Sequence, residues 1–246
     1  MRFRLQLETF GGTLSFNYQY TLSSAIYGLI REQDGEYSTQ LHDNKFKHPE
    51  KATTAKFCFS KLFDLKFKFV KGEKHMTIER CNPYLFVSVV NTKITDYLIK
   101  AFFVGQYINL NGLIFNIKGV SVLPEIELKP TMQLRAISPL FVRDTRGDEV
   151  SPDTESDFLE SIVQNLINKY EVLNPPLSDY GTYDGAILSK PPYKNSLVWI
   201  KGISRKGYFI DFELSLDLPE LFKVGFDSGF GSGNAQGFGY CVPVKV

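Results

Sequence analysis

Apolar residues in this chain switch between a period of two and a period near 3.6 in a fixed order, and that order leaves few folds open. Phe3, Leu5 and Leu7 alternate with Arg2, Arg4 and Gln6, as a half-buried strand requires. Leu22, Ala25, Ile26, Leu29 and Ile30 then recur at helical spacing and predict a helix over about 20–31. Its opposite face carries Tyr20, Ser24, Tyr27 and Arg31, so Tyr27 is expected to point away from the core beneath the helix. After a polar segment, residues 56–70 place Phe57, Phe59, Phe63, Leu65, Phe67 and Phe69 at odd positions, which reads as one hairpin arm. The turn Lys71-Gly72-Glu73-Lys74 leads into a second arm at about 75–90. A helix at 92–103, with Ile94, Tyr97, Leu98, Ala101 and Phe102 inward, precedes a strand at about 113–122. Strand, helix, strand, strand, helix, strand is the ferredoxin-like order.

The order repeats more loosely in the second half. A strand is predicted over 131–142, and Ser151-Pro152-Asp153 predicts a helix start, with Ser or Asp as cap and proline in the first turn. Phe158, Leu159, Ile162, Val163, Leu166, Ile167 and Tyr170 line that helix's buried face. Residues 172–195, with two Pro-Pro pairs, read as a long loop. Strands at 196–203 and 207–216 flank a basic turn, Ser204-Arg205-Lys206-Gly207; a short helix near 218–224 and a terminal strand follow. The expectation is an α+β protein of two tandem ferredoxin-like (βαββαβ) domains, 1–125 and 126–246, joined near Pro124–Pro130.

Charge is uneven. Residues 1–125 hold 16 Lys+Arg against 11 Asp+Glu, and residues 45–74 hold nine lysines against three acids. That asymmetry suits a polyanionic partner, although a solvated lysine-rich hairpin has the same composition. Cys58, Cys81 and Cys241 are odd in number and contain no Cys-x-x-Cys. Buried free thiols and a reducing cytosol are expected rather than a disulfide framework. No apolar run reaches the length of a membrane span, so neither a membrane nor a signal peptide enters the reading.

Five glycines fall between 229 and 239, in Gly229-Phe-Gly231-Ser-Gly233-Asn-Ala-Gln-Gly237-Phe-Gly239. A dinucleotide or P-loop reading fails on context, because this loop follows a helix, leads into a strand and lacks Gly-Lys-Ser/Thr. Glycine density beyond the need of one turn favours a loop whose exposed amides approach a phosphate.

With that loop placed between the last helix and the last strand, the sequence resembles the repeat-associated (RAMP) superfamily. Within it the chain is similar to the CRISPR repeat-specific endoribonucleases that cut precursor CRISPR RNA. The likeness runs from Arg2-Phe3-Arg4-Leu5 through Asn17-Tyr18-Gln19-Tyr20 to the glycine loop. The resemblance implies metal-independent cleavage: a 2′-OH attacks its adjacent phosphate, leaving a 2′,3′-cyclic phosphate and a 5′-OH. It implies His42 and Tyr27 as catalytic residues, fifteen positions apart, with a lysine just before the Phe-rich strand at Lys56. The segment between His42 and Lys56 is longer than in those relatives; Lys45, Lys47 or Lys51 can serve instead, and His48 is a rival base. His75 lies beside a turn and is assigned no role. No pair among the three histidines has metal-site spacing, and neither metal nor cofactor is expected.

RNA contacts are expected from Gly229, Gly231, Ser232, Gly233, Asn234, Gln236 and Gly237, from Lys201, Arg205 and Lys206, and from Lys51. The partners are repeat RNA or the precursor crRNA, with other CRISPR effector subunits or a second copy of the chain as further candidates. Two rival readings stay open. One is a non-cutting RNA-holding subunit of an effector complex; the other is a protein-interaction module.

Overall fold

The structure, a computed structural model, describes residues 1–42, 57–90, 92–104 and 107–244. In chain order the first half contains β1 (Arg2–Glu8), β2 (Gly12–Ser15), α1 (Tyr18–Gln33), α2 (Gly35–His42), β3 (Phe57–Phe59), β4 (Phe67–Phe69), β5 (His75–Ile78), β6 (Tyr84–Val89), α3 (Thr92–Phe103), β7 (Tyr107–Leu110) and β8 (Leu113–Val122). An irregular connection, 123–130, leads to β9 (Thr131–Ala136), α4 (Glu155–Leu173), β10 (Tyr183–Ile187), β11 (Lys194–Ile200), β12 (Ile203–Phe209), β13 (Asp211–Leu216), α5 (Glu220–Ser228), a single 3-10 turn (Asn234–Gln236) and β14 (Cys241–Pro243).

The first sheet runs β3-β6-β1-β8-β7, with every neighbouring pair antiparallel. Alternation puts Phe3, Leu5 and Leu7 on one face of the central strand, all buried. That face receives α1 through Leu22, Ile26, Leu29 and Ile30, and α3 through Ile94, Leu98, Ala101 and Phe102. The second sheet runs β10-β13-β9-β14, again antiparallel throughout. Met132, Leu134, Phe212 and Leu214 of that sheet share a second core with Phe158, Ile162 and Leu166 of α4 and Leu221 and Phe222 of α5.

The Phe-rich segment is not one arm. It breaks between β3 and β4, where Asp64 takes a left-handed φ of 56°. β3 joins the main sheet, while β4 pairs with β5, and β5 with β2, in a separate three-stranded sheet. Period-two patterning is satisfied by each piece, so it cannot report a bend between them. Phe57, Cys58 and Phe59 are all buried because both faces of β3 are covered.

Four further expectations change in the second half. Residues 172–195 contain β10, which pairs with β13 from Tyr183↔Leu216 to Ile187↔Phe212. The hairpin turn is Lys201-Gly202, both with positive φ as two-residue hairpin turns require, so Arg205 and Lys206 lie within β12. The helix after Pro152 begins at Glu155, because Ser151–Asp153 forms its own turn, with Ser151 Oγ accepting from the Asp153 amide. The strand predicted over 131–142 ends at Ala136.

The halves meet across the second face of the first sheet. Phe86 stacks on Tyr240 with ring centroids 5.9 Å apart, and the Arg2 guanidinium lies 5.9 Å from the Phe226 ring centroid. The amino terminus pairs with Asp227 at 3.0 Å. All three cysteines are buried free thiols. Among the described residues no helix is long and apolar enough to cross a membrane.

Candidate nucleic-acid interface

The glycine-rich loop closes the junction between the halves. After α5, the amide of Gly229 donates to Gly225, Phe230 to Gly239, Ser232 to Phe141 and Gly239 to Pro139, all at 2.7–2.8 Å. Ser138 supports the loop's far end, accepting from the Tyr240 amide at 2.8 Å. Residues 137–143 therefore form the loop's floor rather than the end of a strand. From the other half, Ser23 of α1 donates its hydroxyl hydrogen bond to the Ala235 carbonyl, and Cys58 of β3 donates to Phe238 O.

The glycines answer to this packing. All five have positive φ, and a Cβ at Gly239 would overlap the Phe230 carbonyl oxygen. Intramolecular contact thus places its own demand on these glycines, beside the ligand approach expected from their density. Asn234 is likewise turned inward, 1% exposed, with Nδ2 donating to Phe230 O and Phe238 O at 2.9 and 3.2 Å. Gly229, Gly231 and Gly237 are buried, so Ser232, Gly233, Ala235 and Gln236 are the loop's accessible rim. On that rim and just behind it, the amides of Gly233, Asn234 and Ala235 donate to no protein acceptor among the described residues.

Lys169 completes the loop, and the sequence reading missed it. Its ammonium, 4% exposed, donates to Gly229 O, Gly231 O and Asn234 Oδ1 at 2.6, 2.9 and 2.7 Å. Burial pushes its pKa down to about 7, while the Cys58 and Cys241 thiols act in the opposite direction. The available signal was positional: Lys169 follows Leu166 by three and Ile162 by seven, on the apolar stripe of α4.

Tyr27 does not point into solvent. Its ring packs edge-on against Phe57 with centroids 5.0 Å apart, and burial raises its pKa to about 12. The helical pattern identified the face toward the sheet but could not reveal that the other side of α1 is covered as well. Ser38 of α2 donates to the Tyr27 carbonyl at 3.3 Å, and His42 ends α2 one turn after Ser38. Of His42 the structure describes the backbone alone; Lys45, Lys47, His48, Lys51 and Lys56 lie outside the described residues. His75 is exposed at the start of β5.

The β11–β12 hairpin is tied to the start of α1. Asn17 accepts from the Trp199 amide at 2.8 Å and donates to the Trp199 carbonyl. Lys201 and Lys206 are exposed along it. Arg205 is not: its guanidinium lies 5.7 Å from the Phe141 ring centroid and bonds Glu149 at 3.1 Å. Alternation along β12 separates the two cations, one to each face.

Two antiparallel sheets of one strand order, sealed by a glycine-rich loop, define the class. A solved protein described as a Cas6-related gene product of Pyrococcus furiosus superposes with a TM-score of 0.80 at 20% identity, covering 100% of this chain and 98% of that one. Residues 13–121 match the family model described as "CRISPR-associated protein Cas6, N-terminal", and residues 123–243 match "CRISPR associated protein Cas6, C-terminal". The chain belongs to the Cas6 family of CRISPR-associated proteins. Among curated relatives, the CRISPR-associated endoribonuclease Cas6 1 of Methanocaldococcus jannaschii is 27% identical over 100% of this chain and 93% of its own length. The CRISPR-associated endoribonuclease Cas6 of Pyrococcus furiosus is 24% identical over 91% of this chain and 81% of its own.

Proposed function

We propose that this chain is a metal-independent endoribonuclease that binds CRISPR repeat RNA in precursor transcripts and cleaves it by 2′-OH attack. Its two halves, 1–125 and 126–246, act as ferredoxin-like domains: each sheet places the second, third, first and fourth strands of the βαββαβ order side by side. In the second domain β10 is the second strand, and β11–β12 is an inserted hairpin.

The observation that carries this reading is the continuity from loop to candidate catalytic pair. Ser23 holds Ala235 of the loop, and Tyr27 stands one turn further along the same face of α1. Ser38 bonds α2 to Tyr27, and α2 ends in His42. RNA lying over the rim at Ser232, Gly233 and Gln236 is thereby aimed at His42 and Tyr27. Gly229, Gly231, Asn234 and Gly237 shape the rim from within. Lys201 and Lys206 extend the cationic surface along the hairpin.

In the reaction the 2′-OH loses its proton to a base, its oxygen bonds phosphorus, and the P–O5′ bond breaks as the 5′-oxygen gains a proton. His42 suits proton transfer because an ordinary imidazole titrates near 6.5. Tyr27, held protonated by burial, acts as a hydrogen-bond donor that orients the reacting oxygens, not as a phenolate base. A lysine from 43–56, Lys56 or one of Lys45, Lys47 and Lys51, neutralises the phosphorane.

The test is incubation with cognate repeat RNA in EDTA, beside His42→Ala, following binding and cleavage together. Wild-type cutting to 2′,3′-cyclic phosphate ends, lost in the variant with binding kept, is the expected result. Binding without cutting by the wild type would replace the enzyme with an RNA-holding subunit.

A further inference from the structure

A buried ammonium with no acid beside it is an expensive way to fill a protein interior. Lys169 is such a group: among the described residues no carboxylate pairs with it. The titratable groups facing it are the thiols of Cys58 on β3 and Cys241 on β14. A leucine or methionine on this stripe of α4 would be easier to bury. What an apolar residue cannot do is gather three oxygens from one loop.

Those oxygens explain the arrangement. Gly229 O, Gly231 O and Asn234 Oδ1 converge on Nζ, one for each ammonium N–H. Without the cation they would sit together, buried and mutually repulsive. These contacts fix the loop's oxygens on α4, while the amides of Gly233, Asn234 and Ala235 keep no protein acceptor among the described residues. The Asn234 side chain is oriented by the same contact, and through Nδ2 it spans the loop from Phe230 to Phe238. Protonated, Lys169 places one positive charge, with no carboxylate partner among the described residues, against the loop; because burial draws its pKa down to about 7, that charge responds to pH near neutrality.

We propose that Lys169 is the positioning residue for phosphodiester capture: its buried charge orients the loop's amides toward the RNA backbone and supplies positive potential beneath them. The inference rests on the reading of the loop as an RNA-backbone site. It places the specificity for a polyanion in a residue that never touches it.

Single-turnover cleavage of an RNA carrying the host's own CRISPR repeat, titrated with protein, separates half-saturation from maximal rate. Lys169→Met is expected to raise the half-saturation concentration by at least about tenfold, with the maximal rate within about threefold of wild type. Leu166→Ala, a core truncation one turn earlier on α4, controls for lost stability and should leave half-saturation unchanged. Hydrogen exchange at 231–235 should accelerate in Lys169→Met and stay at the wild-type rate in Leu166→Ala. Should the methionine variant fail to fold, Lys169→Gln, which keeps a donor and removes the charge, decides the matter by the same shift. Wild-type half-saturation in a folded, charge-free variant overturns the proposal. Failure of the wild type itself to bind the RNA would instead remove the functional reading.

Discussion

Replacing glycine by alanine inside a helix ordinarily stabilises it by roughly 0.5–1 kcal/mol. Gly28 in α1 meets that condition: a Cβ built there finds nothing within 4 Å. Gly225 in α5 does not. A Cβ there would lie 2.5, 2.6 and 2.8 Å from Cζ, Cε1 and Cε2 of Phe230, far inside ordinary contact. The ring has no room to retreat. Phe230 is fully buried, with the Phe226 and Phe212 rings edge-on at 5.4 and 6.1 Å, and its amide is bonded to Gly239 O at 2.8 Å. Overpacking of this kind costs about 1–3 kcal/mol. Propensity and unfolded-state effects are common to the two substitutions, so the difference between Gly28→Ala and Gly225→Ala isolates the Phe230 contact at about 1–3 kcal/mol. Urea unfolding of both variants beside wild type measures it through the midpoint at constant slope. Gly28→Ala should move the midpoint up and Gly225→Ala down. Equal shifts in one direction would refute the claim that the loop's first aromatic is clamped against α5.

Three further variants have expected outcomes. Tyr27→Phe should lower kcat several-fold with little change in KM and leave the shape of the pH profile intact up to about pH 10. The raised pKa means the unfolded chain releases this phenolic proton before the folded one does, so Tyr27 contributes to stability below about pH 10 and that contribution falls as pH rises toward 12. An alkaline limb of the pH–rate profile that vanishes in Tyr27→Phe would assign the phenolate a role and contradict the donor assignment. Lys206→Ala should weaken RNA binding and reduce the slope of log K against log salt by about 1. Arg205→Ala should leave that slope nearly unchanged and instead lower stability by about 1 kcal/mol through the lost Phe141 contact. Filter binding at several salt concentrations and urea unfolding distinguish the two; the reverse pattern would place Arg205, not Lys206, at the RNA.

Local pattern determined much of this protein. Strict alternation in Arg2–Leu7 and helical spacing in Leu22–Ile30 and Ile94–Phe102 are properties of single elements, and a period reports which face is apolar without any knowledge of neighbours. The position of the glycine loop, between the last helix and the last strand, was legible for the same reason. What covers an element's second face was decided only in three dimensions. Tyr27 sits opposite the stripe facing the sheet and is half-buried nonetheless, because its ring packs against Phe57 of β3 while Ser38 of α2 bonds its carbonyl. β10 lacks any alternation and exists through its pairing with β13, a partner 24 or more residues away in sequence. The glycines at 229–239 suggested approach by a ligand; the fold adds a second demand on them, close contacts with Phe230, Phe141, Asn234, Phe238, Gln19 and Phe59 that the sequence could not show. Lys169, a cation on an apolar stripe, became intelligible only once three oxygens from 60 to 65 residues downstream were seen to converge on it. A sequence carries its periods locally, whereas burial of a second face and satisfaction of a buried charge depend on chain segments that only the tertiary fold brings together.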